Sequence, residues 1–170
     1  MQDSQLNTVN PFYLQRVVKL AEHSRIVTSD DVYAANGMKL LAKGTPISHE
    51  VQDRLIKHKL KKPLESSLSV ADAIDPQYLV ALAQDVLASQ TKLQPILFFG
   101  NHGGQALEIL QGLALNGPMR MVLTMLERSG NEELRQSVEC ALVALVLGIE
   151  LGLAQERLQH LAIGSLLHDI

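Results

Sequence analysis

Residues Glu133–Ile170 read ELRQSVECALVALVLGIELGLAQERLQHLAIGSLLHDI. Within this stretch Cys140–Leu147 is an unbroken apolar run, continued beyond Gly148 by Ile149 and bracketed by Glu139 and Glu150. That is about half the length a bilayer crossing requires. Its middle is apolar on every side, so the stretch is expected to form a central, buried helix from about Glu132 to Glu150. Glu132 and Glu133 fall in its opening turn, where the helix dipole favours negative charge. Gly152 is expected to end it, and a last helix to begin near Ala154 with Glu156 in its first turn.

Working back from this segment, only helical signals appear as far as Ser66. Asp75 followed by Pro76 is a helix start, an N-cap aspartate ahead of a first-turn proline. Tyr78, Leu79, Leu82, Ala83, Val86 and Leu87 then follow at helical spacing. Pro95 and Gly100-Asn101-His102-Gly103-Gly104 break the chain. Ala106, Leu107, Ile109, Leu110 and Leu113 make the next helix. Asn116-Gly117-Pro118 separates that helix from one carrying Met121, Val122, Met125 and Leu126. Residues 66–170 are therefore expected to be a helical region.

Residues 1–65 read as a small α+β module. Val17, Val18, Leu20 and Ala21 suit a short helix, and Arg25–Thr28 and Asp31–Tyr33 read as extended. Asn36-Gly37 is a tight-turn signal, since both residues tolerate positive φ, and Met38–Ala42 follows as the returning strand. Ser48 opens a helix carrying Val51, Leu55 and Ile56, with Glu50 and Asp53 in its opening turns, and Pro63 stops it. The fold class expected for the whole chain is mainly α, with a β-hairpin and helix module at the front.

Composition agrees with that class. Hydrophobic residues are 46% of the 170 and aromatics only 4%, so the core must be built from Leu, Val, Ile and Ala. The net charge of −3 is unevenly spread: ten Lys/Arg against seven Asp/Glu up to Glu65, and five against eleven from Ser66 onward. Lys57, Lys59, Lys61 and Lys62 concentrate the basic excess; such a cluster could meet an anionic partner, and the expected reading is a solvated helix end whose lysines complement the C-terminal dipole. The single cysteine, Cys140, excludes an internal disulfide framework and is expected to be a buried small hydrophobe. Met1–Asn10 lacks the basic and apolar regions of a signal peptide. A cytoplasmic protein with no membrane partner is expected.

The string Leu161-Ala162-Ile163-Gly164-Ser165-Leu166-Leu167-His168-Asp169-Ile170, preceded by Gly148-Ile149-Glu150-Leu151-Gly152-Leu153, resembles the HD superfamily of metal-dependent phosphohydrolases. Upstream, Asn36–Thr45, a helix and Lys62-Pro63-Leu64-Glu65 are similar to the module found ahead of HD-GYP domains in some bacterial signalling proteins. Nearly the whole chain is covered. The resemblance implies the first helices of an HD-domain bundle over residues 66–170, truncated after the His-Asp pair. It also implies a metal site in which His168 is a ligand and Asp169 is a catalytic residue bridging two ions. The implied cofactor is a divalent metal, iron or manganese, that turns bound water into a nucleophile. The implied substrate is a cyclic dinucleotide, cyclic dimeric GMP for the HD-GYP branch, and no nucleic-acid partner is expected.

The sequence departs from that pattern in two ways. The first ligand of catalytic members aligns with Gln136, thirty-two residues before His168, and a neutral amide oxygen is a poor ligand for a catalytic transition metal. The family's remaining ligands would lie beyond Ile170. The chain is thus expected to be an incomplete, inactive portion of a phosphodiesterase, the divalent metal being that of the complete family site. The alternative is a non-catalytic HD module serving as a regulatory platform. Apolar faces around Leu142, Val146, Ile163 and Leu167 are expected to be partly uncovered and to favour self-association. Other histidines carry less: His102 lies in the Gly-rich stretch, expected to be a flexible connector, and His160, His23, His49 and His58 read as surface residues.

Overall fold

The structure, a computed structural model, describes residues 8–89, 95, 101–130 and 132–169. The fold is mainly α, with little strand. The chain divides into two compact units, Met1–Ala73 with Asn116–Met125, and Ile74–Leu115 with Leu126–Ile170.

In the first unit, helix α1 (Pro11–Ala21) begins at Asn10, whose Oδ1 accepts from the Phe12 and Tyr13 amides at 3.0 and 3.4 Å, with proline in the first turn. Leu14, Val17 and Val18 lie on one face at helical spacing and are buried. Strand β1 (Ile26–Thr28) is followed by β2 (Val32–Tyr33) and β3 (Lys39–Leu41), the expected hairpin. Its turn is a three-residue loop in which only Gly37 takes positive φ, 85°. Asn36 instead accepts the Met38 N–H on its side-chain oxygen at 3.1 Å. The register shifts between Val32 and Tyr33, which pair with Leu41 and Lys39. That bulge lets the consecutive residues Leu40 and Leu41 both be buried, which regular alternation forbids.

Helix α2 (His49–Ile56) follows and buries Leu55. A 3-10 turn, Leu64–Ser67, then leads into β4 (Leu68–Val70), which pairs antiparallel with β1, Ile26 opposite Val70. This strand corrects the expectation that only helices follow Ser66. Three residues bounded by Ser66-Ser67 and Ala71-Asp72 are too few for a periodic signal, and pairing with β1 decides their conformation. For the same reason the first unit continues past Glu65. The core gathers Leu14, Ile26, Leu55, Leu60 and Leu64, with Met121 from residues 116–125. The buried Thr28 hydroxyl is fully used, donating to the Ala42 carbonyl at 2.6 Å and accepting from the Thr45 amide at 3.0 Å.

The second unit is helical. Helix α3 (Pro76–Ser89) starts where Asp75 Oδ1 accepts from the Tyr78 amide at 2.9 Å. Helix α4 (His102–Gln111) already includes Gly103 and Gly104, so His102 opens a helix rather than lying in a connector. Helix α5 (Gly117–Arg128) contributes its last turn to this unit. Helix α6 (Glu133–Glu150) packs against α3, α4 and helix α7 (Gln155–Leu166).

The α6–α7 connection explains the sequence at Gly148-Ile149-Glu150-Leu151-Gly152-Leu153. The Leu153 amide donates to the Gly148 carbonyl at 3.0 Å and the Gly152 amide to the Ile149 carbonyl at 2.9 Å. Gly152 takes φ 69°, completing a Schellman cap. At Gly148 the two helices come close: a Cβ there would meet Leu158 Cδ2 at 2.7 Å and Leu161 Cδ2 at 3.0 Å.

Helix α6 is not buried on every side. Leu134, Val138, Ala141, Leu142, Leu145 and Val146 form its buried face, whereas Gln136, Cys140 and Leu147 are exposed. Leu142 and Val146 are therefore not uncovered as expected, and Cys140 is not buried. The apolar run hides the change of environment because Cys140, Val143, Ala144 and Leu147 match their buried neighbours in hydrophobicity. Among the described residues, no helix is long and apolar enough to cross a membrane.

Candidate functional site

Helix α7 ends at Leu166, and His168 and Asp169 stand in the turn beyond it. On a regular helix adjacent side chains diverge by about 100°. Leaving the helix removes that restriction, and His168 Nε2 lies 3.3 Å from Asp169 Oδ2. His168 Nδ1 is 2.8 Å from the Ser165 carbonyl. A carbonyl only accepts, so Nδ1 carries the proton of that bond, and in the neutral tautomer this leaves the lone pair at Nε2.

That arrangement suits a divalent cation as far as two donors can. Two metal–ligand bonds of about 2.1 Å at ordinary coordination angles put their donor atoms about 3.0–3.4 Å apart, which matches the observed separation. The Nδ1–carbonyl bond is the usual way to orient a metal-binding imidazole. Both side chains are open to solvent, Asp169 more so than His168.

Two donors do not complete the coordination of a divalent cation. Among the described residues no three of His, Cys, Asp and Glu are grouped to hold a metal. Gln136 sits on the exposed face of α6 with Glu139, Cys140, Val143, Ala144 and Leu147, which line a shallow depression. No hydrogen bond or ion pair joins Gln136 to His168 or Asp169 among the described residues. His168 and Asp169 thus meet each other, and Gln136 stands on the exposed face of α6. Ile170 lies outside the described residues.

Three relationships escaped the sequence. Ser165 orients His168 through its backbone carbonyl, visible in retrospect only as an i−3 neighbour at a helix end. Arg135, beside Gln136, reaches across to α3, with Nη1 2.5 Å from Asp85 Oδ2 and Nη2 2.5 Å from Ser89 Oγ, and lies 3.7 Å from Glu139 on its own helix. His102 Nε2 is 3.6 Å from Glu150 Oε2, bringing the start of α4 to the end of α6. The first and last join residues far apart in sequence or through the main chain, which no local pattern encodes.

No family model matches the chain, and neither a curated protein nor a solved structure matches it significantly.

Proposed function

We propose that the chain is an HD-type module related to the HD-GYP metal-dependent phosphodiesterases, carrying two ligands of the metal site and inactive as it stands. The observation that supports this reading best is the His168–Asp169 separation of 3.3 Å together with the Nδ1 contact to Ser165. His168 would hold a cation through Nε2, Ser165 would keep the ring turned towards it, and Asp169 would supply the neighbouring oxygen. In a completed site the metal would lower the pKa of a bound water and so furnish the nucleophile for phosphodiester hydrolysis. The substrate class is then a cyclic dinucleotide, and the metal iron or manganese.

A second reading is favoured by one observation, the exposure of Gln136 on a helix face that also exposes Cys140 and Leu147. A glutamine in place of the first ligand, on a partly apolar surface, suits a non-catalytic module acting as a regulatory or interaction platform in bacterial signalling.

Elemental analysis and a hydrolysis assay separate the readings. The purified chain, loaded with manganese and incubated with a cyclic dinucleotide, is expected to give no product. Turnover would contradict the incomplete site. Manganese retained by the wild type and lost in His168→Ala supports the phosphodiesterase lineage, and equal metal content in the two proteins contradicts it.

A further inference from the structure

The outer face of the β2–β3 hairpin carries a row of side chains for which the metal-site reading has no use. The Lys61 amide donates to the Tyr33 carbonyl at 2.9 Å and the Ala35 amide to the Lys59 carbonyl at 2.7 Å. Residues 59–61 thus run antiparallel beside β2, with Ala34 opposite Leu60. On the other side of β2, Tyr33 pairs with Lys39. Directly opposed residues of antiparallel neighbours share a face. Ala34 and Leu60 point into the core, both nearly fully buried. Tyr33 therefore stands on the outer face between Lys61 and Lys39, with Lys59 one outward position along the same edge.

The ring is held in place. Tyr33 Oη donates to Asp31 Oδ2 at 3.3 Å, and Lys39 Nζ lies 2.7 Å from the same oxygen. The hydrogen bond from Lys39, helped by that of the Lys43 amide, keeps the Asp31 carboxyl below its ordinary value and committed to this cluster. Tyr33 nevertheless remains 38% exposed. Lys59, Lys61 and Lys62 are exposed and, among the described residues, enter no ion pair. Beside the ring a cavity of about 210 Å³ opens between Tyr33, Lys61, Lys62, Asp30 and Ser67.

An exposed aromatic ring on a sheet face, flanked by lysines fixed along a strand edge, offers a base a stacking platform and its phosphates a set of cations. An acidic peptide or a lipid surface would engage the lysines and leave the ring without a role. A duplex keeps its bases stacked on one another, so the ligand that uses both features is unpaired. We propose that this face binds single-stranded nucleic acid, stacking a base on Tyr33 and holding the adjoining phosphates with Lys59, Lys61 and Lys62. This partner lies outside those expected from the sequence, where the lysines read as a solvated helix end.

The test is fluorescence anisotropy of the full chain with a labelled oligothymidylate of about ten nucleotides, within the site sizes of stacking platforms. Saturable binding is expected, weakened by salt with a slope that falls by about 0.7 for each lysine contact removed. Tyr33→Ala should weaken binding about tenfold or more, and Tyr33→Phe should restore most of it. Lys61→Ala with Lys62→Ala should flatten the salt dependence. Inorganic polyphosphate, which has charge and no base, should compete poorly. Absence of saturable binding would overturn the proposal. So would binding that Tyr33→Ala leaves unchanged and polyphosphate displaces fully, the behaviour of simple ion exchange.

Discussion

Gly148 and Leu158 meet so closely that a methyl group on Gly148 would sit 2.7 Å from Leu158 Cδ2, and Leu153 Cδ1 would be 3.2 Å from it on another side. Helices α6 and α7 turn back on each other here through a short Schellman-capped loop, and a side chain at residue 148 requires the ends of Leu153, Leu158 and Leu161 to shift. Gly148→Val should lower stability by about 2–3 kcal/mol, since three leucine ends must move together. Gly148→Ala should cost less, because the helix-propensity gain of about 1 kcal/mol offsets part of the overpacking. Denaturant midpoints of the two variants check this, and a Val variant as stable as wild type would contradict the close crossing.

The Tyr13 hydroxyl is buried without a hydrogen-bond partner among the described residues. Burial, with the Glu65 charge adding to it, raises its pKa far above the ordinary phenol value. Tyr13→Phe removes an unsatisfied polar group while keeping the ring, so stability should be unchanged or rise by about 1 kcal/mol. A loss of that size on thermal unfolding would show that the hydroxyl has a partner.

Tyr78 donates to Glu127, and this hydrogen bond, followed by burial, pushes its phenol from 10.0 up to about 12. A group whose pKa is raised on folding stabilises the fold fully below its unfolded value and loses that contribution as pH climbs through the folded one. The window is therefore pH 10 to about 12. Tyrosinate absorbance should show a late-titrating group that Glu127→Gln returns towards the ordinary range. The alkaline loss of thermal stability should be smaller in Tyr78→Phe. Coincident tyrosinate titrations in wild type and Glu127→Gln would contradict the bond.

Cys140 is exposed on α6. In the native protein its thiol should react with a maleimide at a rate comparable to that in the unfolded chain, and Cys140→Ser should leave stability within about 0.5 kcal/mol. Protection of the native thiol would place it back in a core.

What the sequence conveyed well was local. Asn36-Gly37 marked the hairpin, Asp75-Pro76 the start of α3, and Gly152 the end of α6, because each acts through backbone conformation or capping within a few residues. What it hid was set by tertiary contact. Leu68–Val70 is a strand because β1 lies beside it, and Leu40 and Leu41 are both buried because the register slips. The exposed side of α6 carries residues as apolar as the buried side, so periodicity could not separate them. At the candidate site His168 and Asp169 were legible as residue types. Their convergence was not, since it depends on α7 ending at Leu166 and on a backbone carbonyl at Ser165 that no side-chain pattern reveals.

On the proposed reading, His168 and Asp169 together form half of a divalent-metal site. Manganese titration followed by paramagnetic broadening of assigned NMR signals tests it most directly. The expected result is saturable broadening centred on His168, Asp169 and Ser165 and abolished in His168→Ala. Broadening spread evenly over the surface carboxylates, and unchanged in His168→Ala, would contradict it.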